Sequence, residues 1–251
     1  MKKLEGKRAL ITGSSSGIGA AVALAFAAEG ADVVINYPDD SQFENANAVL
    51  KQIEETGQKA YAIKSDVAIE AEADRLVEES LSNLGGIDIL VNNAGIAHAG
   101  AVEEIPVDMW DRVIAVHLRS MFLVTRRVIP HMYSQNYGKI INTASQLAYK
   151  GAPGFSHYTA AKGAILSFTR SIALEAGERE VCVNAVAPGA TMTPILDDVP
   201  EELLEAIRQS IPRKRLAEID DIVPTYVFLA SDEASHFRGQ CLSPNGGDVF
   251  L

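Results

Sequence analysis

Tyr158 and Lys162 stand four residues apart in YTAAK, a spacing that puts both side chains on one face of a helix. A phenol with an ordinary pKa of about 10 is a poor base near neutrality. An ammonium fixed beside it stabilises the phenolate and lowers that value, the adjustment general acid–base chemistry needs. Lys162 is the residue expected to do this for Tyr158. The pair alone is a common accident of helical sequence and takes its meaning from what surrounds it.

A second chemical signal lies near the start of the chain. Gly13, Gly17 and Gly19 follow the apolar run KRALIT and open an Ala-rich segment, giving G-x-x-x-G-x-G. Glycines there let the chain turn tightly and bring backbone N–H groups close to a pyrophosphate, which the positive end of the following helix favours. Ser14, Ser15 and Ser16 add hydroxyl donors to the same loop. At the end of the next strand, where an acid often holds the adenosine ribose, the chain has Asn36 and Tyr37, then Asp39 and Asp40. No lysine or arginine stands in either turn, so the choice between NAD and NADP stays open.

These loops need a frame. KRALITG, ADVVINY, KAYAIKSD, GIDILVNN, GKIINTAS and REVCVNAVA are short apolar runs bounded by glycine or polar residues, separated by stretches with helical spacing. Near-continuous apolar strands imply a sheet covered on both faces, hence parallel pairing with right-handed crossovers. The expected fold class is α/β, a doubly wound, Rossmann-like parallel sheet of about seven strands with helices on both faces. VDMWDRVIAVHLRSMFLVTRRVIPHMYSQ reads as one long helix whose last turns Pro130 bends or weakens. Residues 190–215, punctuated by Thr, Pro and Asp around EELLEAIRQ, read as a lid over the carboxyl edge of the sheet.

Composition narrows the functions. The chain has 251 residues, 47% apolar and 22% charged, and is read as a single domain over 1–251. A formal charge of −11 argues against nucleic acid as a partner, because phosphate binding needs a basic surface. No apolar run reaches the roughly 18 residues of a membrane span, and MKKLEGKR carries no export signal, so a cytoplasmic location is expected. Cys182 and Cys241 read as core residues of strands, without a disulfide framework.

TGSSSGIG after the first strand, NNAG at 92–95 after the fourth, Ser145 ending the fifth, YTAAK thirteen residues later and PGATMT at 188–193 together resemble the short-chain dehydrogenase/reductase family, in order and over essentially the whole chain. The resemblance implies an NAD(P)-dependent oxidoreductase. It makes Tyr158 the proton donor and acceptor, Lys162 the residue that tunes it and binds the nicotinamide ribose, and Ser145 the holder of the substrate oxygen. It assigns Gly13, Ser15, Ser16, Gly17, Ile18 and Gly19 to the pyrophosphate loop, and Tyr37, Asp66, Val67, Asn93, Ala94 and Gly95 to the adenosine side. Pro188, Gly189, Thr191 and Thr193 would hold the carboxamide. No metal is implied, and members usually form homotetramers or dimers through the long helices and last strand; the apolar end of GGDVFL suits either such a neighbour or its own chain.

One position departs from the pattern. Where many members carry an asparagine in a V-N-L context, this chain reads AVHLRSMF, with His117 in its place. His117 is read as the outer member of a proton relay that brings its own titration near 6.5, or as an equivalent hydrogen-bonding group. His98, Gln146 and His157 flank the motifs and are expected to line the pocket, favouring a sugar, polyol or hydroxy acid substrate. The alternatives are a 3-oxoacyl thioester reductase, acting on a carrier-protein or CoA thioester, and a non-catalytic dinucleotide-binding regulator on the same fold. HMYSQNYG and ALEAGERE offer few of the basic residues that would meet an acidic carrier protein.

Overall fold

Strands covered on both faces need only be apolar and short, and the chain builds its sheet accordingly. The computed structural model describes residues 2–196 and 199–250. β1 (Arg8–Ile11), β2 (Asp32–Tyr37), β3 (Ala60–Lys64), β4 (Ile89–Asn92), β5 (Gly138–Thr143), β6 (Val181–Val186) and β7 (Cys241–Leu242) form a sheet in the order β3-β2-β1-β4-β5-β6-β7. Every pairing is parallel. β4, β5 and β6 are buried at every position, as the unbroken apolar runs require.

The helices between the strands are α1 (Gly17–Ala28), α2 (Phe43–Glu54), α3 (Glu70–Leu84), α4 (Val107–Ile114), α5 (Ser120–Ser134), α6 (Leu147–Lys150), α7 (Ser156–Ala176), α8 (Glu201–Ser210) and α9 (Ile219–Ala230). One face of the sheet packs on Val22, Phe26, Val49, Ile53, Ile222 and Tyr226. The other packs on Leu76, Val77, Val128, Met132 and Ala176. The order of strands reverses between β1 and β4, so the crevice outside their carboxyl ends is the natural ligand position. The glycine loop, NNAG, Ser145 and PGATMT all leave strands at that edge, which is how motifs 80 to 180 residues apart come together.

The long fourth-crossover helix differs from expectation. A π-helical turn over Ala115–Arg119 separates α4 from α5, while α5 carries Pro130 and still runs to Ser134. The irregularity therefore sits at His117 rather than at the proline. Such single π turns re-aim side chains and recur at functional sites. The segment 190–215 contains α8, whose Leu204 forms a small buried cluster with Ile211 and, just past the segment, Leu216; its Asp197 and Asp198 lie outside the described residues, as does Leu251 of GGDVFL. Cys182 is buried as expected, but Cys241 is only half-buried on the edge strand, and both are free thiols. No helix among the described residues is long and apolar enough to cross a membrane.

A buried polar chain ties the sheet to its helices. Asn92 Nδ2 donates to Thr125 Oγ1 at 3.0 Å and to Asn142 Oδ1 at 2.9 Å. Asn142 Nδ2 donates to Thr169 Oγ1 at 2.9 Å, which passes its own proton to the Ile165 carbonyl at 2.8 Å. The path joins α5, β4, β5 and α7, and Asn142 is fully buried. Replacing one member strands the others without water. Asn142→Val is expected to cost about 2–4 kcal/mol of stability, read as a lower urea midpoint at unchanged slope; a loss below about 0.5 kcal/mol would contradict a cooperative network.

Candidate active site

α1 begins without a side-chain cap on Ser16 and without an acidic residue in its first turn. Its first N–H groups therefore lack a protein acceptor and face the loop with the positive end of the helix. Gly13 and Gly17 have φ of +59° and +56°, the left-handed region that glycine tolerates. A Cβ on Gly13 would stand 2.7 Å from Ala94 Cα, and one on Gly19 would stand 2.5 Å from Asn93 Nδ2. The glycines are thus required by close backbone approach, and the uncapped, uncharged helix start fits the pyrophosphate of a dinucleotide.

The structure sorts the expected adenosine residues. Asn93 Nδ2 donates to the carbonyls of Thr12 at 3.1 Å and Gly13 at 2.9 Å, bracing the loop from below. Thr12 Oγ1 accepts from the backbone of Asn93 and Ala94 at 3.0 and 3.1 Å, a role no motif announced. Asn36 Oδ1 accepts from Gly13 N at 3.1 Å, so this buried amide is also a brace. Tyr37 is mostly buried against Phe43, and the Val67 side chain lies in the core. Asp66 accepts from Ala68 N at 3.0 Å and pairs with Arg112 of α4 at 2.8 Å. Ile18 packs against the core beneath the loop.

On the other side, Gly17 approaches Thr193: a Cβ there would lie 3.8 Å from Thr193 Cβ. Thr191 Oγ1 donates to the Gly189 carbonyl at 2.9 Å, and Thr193 Oγ1 to the Thr191 carbonyl at 3.3 Å. Pro188 accepts from Gln146 N at 3.0 Å, which links PGATMT to the Ser145 loop.

At the centre, α7 presents Tyr158 and Lys162 on one face. Lys162 is buried, and its Nζ donates to the Thr143 carbonyl at 2.7 Å and lies 5.5 Å from the Tyr158 ring centroid. Burial lowers the ammonium from 10.5 to about 7. Burial also pushes the Tyr158 phenol above its ordinary value, opposed by the Ser145 hydroxyl. The expected depression of Tyr158 by Lys162 does not appear: desolvation is the leading influence on both groups, and at the phenol only the Ser145 hydroxyl opposes it. The phenol holds its proton at neutral pH. Ser145 Oγ accepts from Leu147 N at 3.2 Å, which leaves its own proton free to donate.

His117 lies against this centre, its ring edge-on to Tyr158 at 5.2 Å. Its Nε2 lies 2.7 Å from the Ile96 carbonyl and 3.1 Å from the Ile96 N–H, a position that serves either neutral tautomer, and its buried Nδ1 has no partner. Burial, helped by Lys162, holds the imidazole down to about 3. The expected titration near 6.5 is corrected accordingly: a ring sealed from water stays neutral. Gly95 is the close neighbour that makes room, since a Cβ there would meet His117 Cε1 at 2.6 Å.

The three expected substrate contacts are differently occupied. His157 is fully buried, and its Nε2 lies 3.3 Å from His98 Nδ1, with Trp110 stacked on its ring. Gln146 Nε2 donates to Asp248 at 2.7 Å. Asp248 and Lys150, which shares that carboxylate at 2.6 Å, went unnoticed in the sequence because neither belongs to a motif or a periodic stripe. Among the described residues, no group of three His, Cys, Asp or Glu side chains is placed to hold a metal.

The chain is similar to known proteins over nearly its whole length. The family described as Enoyl-(Acyl carrier protein) reductase matches residues 13–248. The 3-oxoacyl-[acyl-carrier-protein] reductase FabG of Staphylococcus aureus (strain Mu50) is 38% identical over 241 residues, 96% of this chain and 97% of the relative. The BbsD subunit of (2S)-[(R)-hydroxy(phenyl)methyl]succinyl-CoA dehydrogenase from Thauera aromatica is 38% identical over 244 residues, 97% of each. A short-chain dehydrogenase from Burkholderia cenocepacia, solved in complex with NADP, superposes with a TM-score of 0.90 at 34% identity, covering 98% of this chain and 99% of that one.

Two outcomes follow from the burial of these groups. Lys162 binds a proton more weakly folded than unfolded, so its cost to stability is full below pH 7 and fades as pH rises toward 10.5. Lys162→Met is expected to be more stable than the parent at pH 7 by about 1–3 kcal/mol, the gap closing by pH 10 in urea titrations; equal stability at pH 7 would refute the buried charge. His117→Asn is expected to lower the rate without moving any apparent pKa of activity between pH 5 and 9; loss of a titration near 6.5 would restore the relay role.

Proposed function

The chain belongs to the short-chain dehydrogenase/reductase family and is an NAD(P)-dependent oxidoreductase; from that premise we propose that it interconverts a ketone and a secondary alcohol on a 3-oxoacyl or 3-hydroxyacyl thioester. The observation that carries the reading is the convergence of Ser145, Tyr158 and buried Lys162 at the carboxyl edge of the sheet. Hydride exchange with the substrate carbon is the chemistry a bound nicotinamide dinucleotide supplies. In the reducing direction the Tyr158 hydroxyl gives its proton to the substrate oxygen. The Ser145 hydroxyl donates a hydrogen bond to the same oxygen as negative charge develops there. The Lys162 ammonium stabilises the phenolate that Tyr158 leaves behind. A phenol that keeps its proton at neutral pH has one to give in the reducing direction, and the transfer is eased by the neighbouring Lys162 and Ser145.

Gly13, Ser15, Ser16, Gly17, Ile18 and Gly19 would hold the pyrophosphate through backbone N–H groups, with Tyr37, Asp66, Val67, Asn93, Ala94 and Gly95 around the adenosine. Tyr158 and Lys162 would meet the nicotinamide ribose, and Pro188, Gly189, Thr191 and Thr193 the carboxamide. Residues 1–251 would act as one unit, with 190–215 as its lid.

Two relatives, one named for a 3-oxoacyl carrier-protein thioester and one for a hydroxyl-bearing CoA thioester, support this substrate class. The sugar, polyol or hydroxy acid reading has less support, because His157 and Gln146 are already engaged with His98 and Asp248. The thioester's other half, CoA or a carrier protein, is left open by the exposed ion pairs of Arg126 and Arg127 with Glu70, Asp74 and Glu78, since both partners are acidic.

Reduction of acetoacetyl-CoA with NADPH and with NADH, followed at the absorbance of the reduced nucleotide, tests the reading. Turnover is expected with at least one nucleotide, falling about 10²–10⁴-fold in Tyr158→Phe. Oxidation of polyols with no turnover of the thioester would reject the substrate class; full activity in Tyr158→Phe would reject the mechanism.

A further inference from the structure

Residues 244–249 are folded back against the body of the protein. Gly246 and Gly247 take φ of +67° and +90°, and turn the chain back so that the Asp248 carboxylate enters the fold with its side chain only 6% exposed. One carboxylate oxygen, Oδ2, receives both Gln146 Nε2 at 2.7 Å and Lys150 Nζ at 2.6 Å. Gln146 and Lys150 are four apart and bracket α6, the single turn that follows Ser145. That turn is joined to Ser145 itself: Ala148 N donates to the Ser145 carbonyl at 3.0 Å, and Leu147 N to Ser145 Oγ at 3.2 Å. The serine hydroxyl is therefore oriented by a turn that Asp248 grips at both ends.

The same tail is fastened elsewhere. Gly189 N donates to the Pro244 carbonyl at 3.1 Å, and a Cβ on Gly189 would stand 2.8 Å from Asn245 Cα. Arg213 N donates to the Gly246 carbonyl at 3.2 Å, and a Cβ on Gly246 would stand 2.9 Å from Ile211 Cγ2. Asn245 in turn locks the turn itself, accepting from Gly247 N at 2.8 Å and donating to the Val249 carbonyl at 2.8 Å. Residues 244–249 thus touch PGATMT, the segment after α8 and, through Asp248, the loop of Ser145.

We propose that Asp248 is a positioning residue for the reaction, holding the Ser145 hydroxyl in place through Gln146 and Lys150 from the C-terminal tail. Its Oδ2 is committed to Gln146 and Lys150, and it acts through them. A carboxylate is needed because a single oxygen serves an ammonium and an amide together; an amide in its place carries no countercharge for Lys150. A small displacement of Ser145 is enough to matter, since misplacement by about 1 Å can cost on the order of 10²-fold in rate. The proposal rests on the reading of Ser145 as donor to the substrate oxygen.

The test compares Asp248→Asn and Asp248→Glu with the parent. Asp248→Asn is expected to lower kcat about tenfold while the dissociation constant of NADP+ or NAD+ changes less than twofold, and Asp248→Glu to recover most of the loss. In a Ser145→Ala background the same Asp248→Asn change is expected to alter kcat less than twofold, because its effect passes through the serine. Amide hydrogen exchange is expected to quicken over residues 144–151 and stay unchanged over β1. Lys150→Met, at a partly exposed side chain, is expected to quicken the same region and serves if Asp248→Asn does not fold. A full tenfold loss persisting in the Ser145→Ala background, or unchanged exchange over 144–151, would overturn the proposal. Absence of any turnover by the parent would reject the proposed function instead, leaving the exchange comparison to decide this inference.

Discussion

Desolvation at the carboxyl edge of the sheet is the constraint on which the site depends. Lys162 is sealed beneath the cleft with the Thr143 carbonyl as its partner, and Tyr158, on the same helix face, is partly buried beside it. Removing water disfavours charge on both, so the ammonium falls to about 7 while the phenol rises. Both groups are drawn toward their neutral forms. The proton therefore sits on the phenol, at the atom from which a carbonyl oxygen could take it. Such burial is unfavourable to the fold and is retained at a place where chemistry gains from it.

The topology makes that arrangement attainable. A parallel sheet whose strand order reverses between β1 and β4 sends each chemically active loop to one edge. Backbone packing then closes the gaps. Gly13 sits on Ala94, Gly19 on Asn93 and Gly95 on His117, approaches that leave no room for a side chain. Beneath them, the buried chain from Thr125 through Asn92 and Asn142 to Thr169 holds two strands against two helices. Rigid support below and loops above are what keep acid–base groups within reach of one another.

Polar residues around the centre serve one another more than they serve the cleft. His98 and His157 share a hydrogen bond, Gln146 is committed to Asp248, and His117 is held by the Ile96 backbone. Each gives up a hydrogen-bonding valence to fix the local chain, and each buried ring or amide keeps one atom unpartnered, at His117 Nδ1, His157 Nδ1 and Gln146 Oε1. The polar character of the pocket wall is accordingly smaller than a count of its residue types suggests.

The sequence by itself determined the sheet, the glycine turn and the Tyr158–Lys162 pair. Apolar runs between helical stretches admit one economical architecture, and a four-residue spacing on a helix fixes a shared face. EELLEAIRQ likewise appears as α8, and Asn36 is legible at the end of β2, though not its work as a brace. Only the tertiary structure decided the direction of the Tyr158 shift, the neutrality of His117, the π turn that places it, and the grip of Asp248 on the Ser145 loop. The physical reason is common to all four. Local spacing reports which side chains share a face, whereas burial and partners depend on segments distant in the chain, and it is burial that sets where a proton resides.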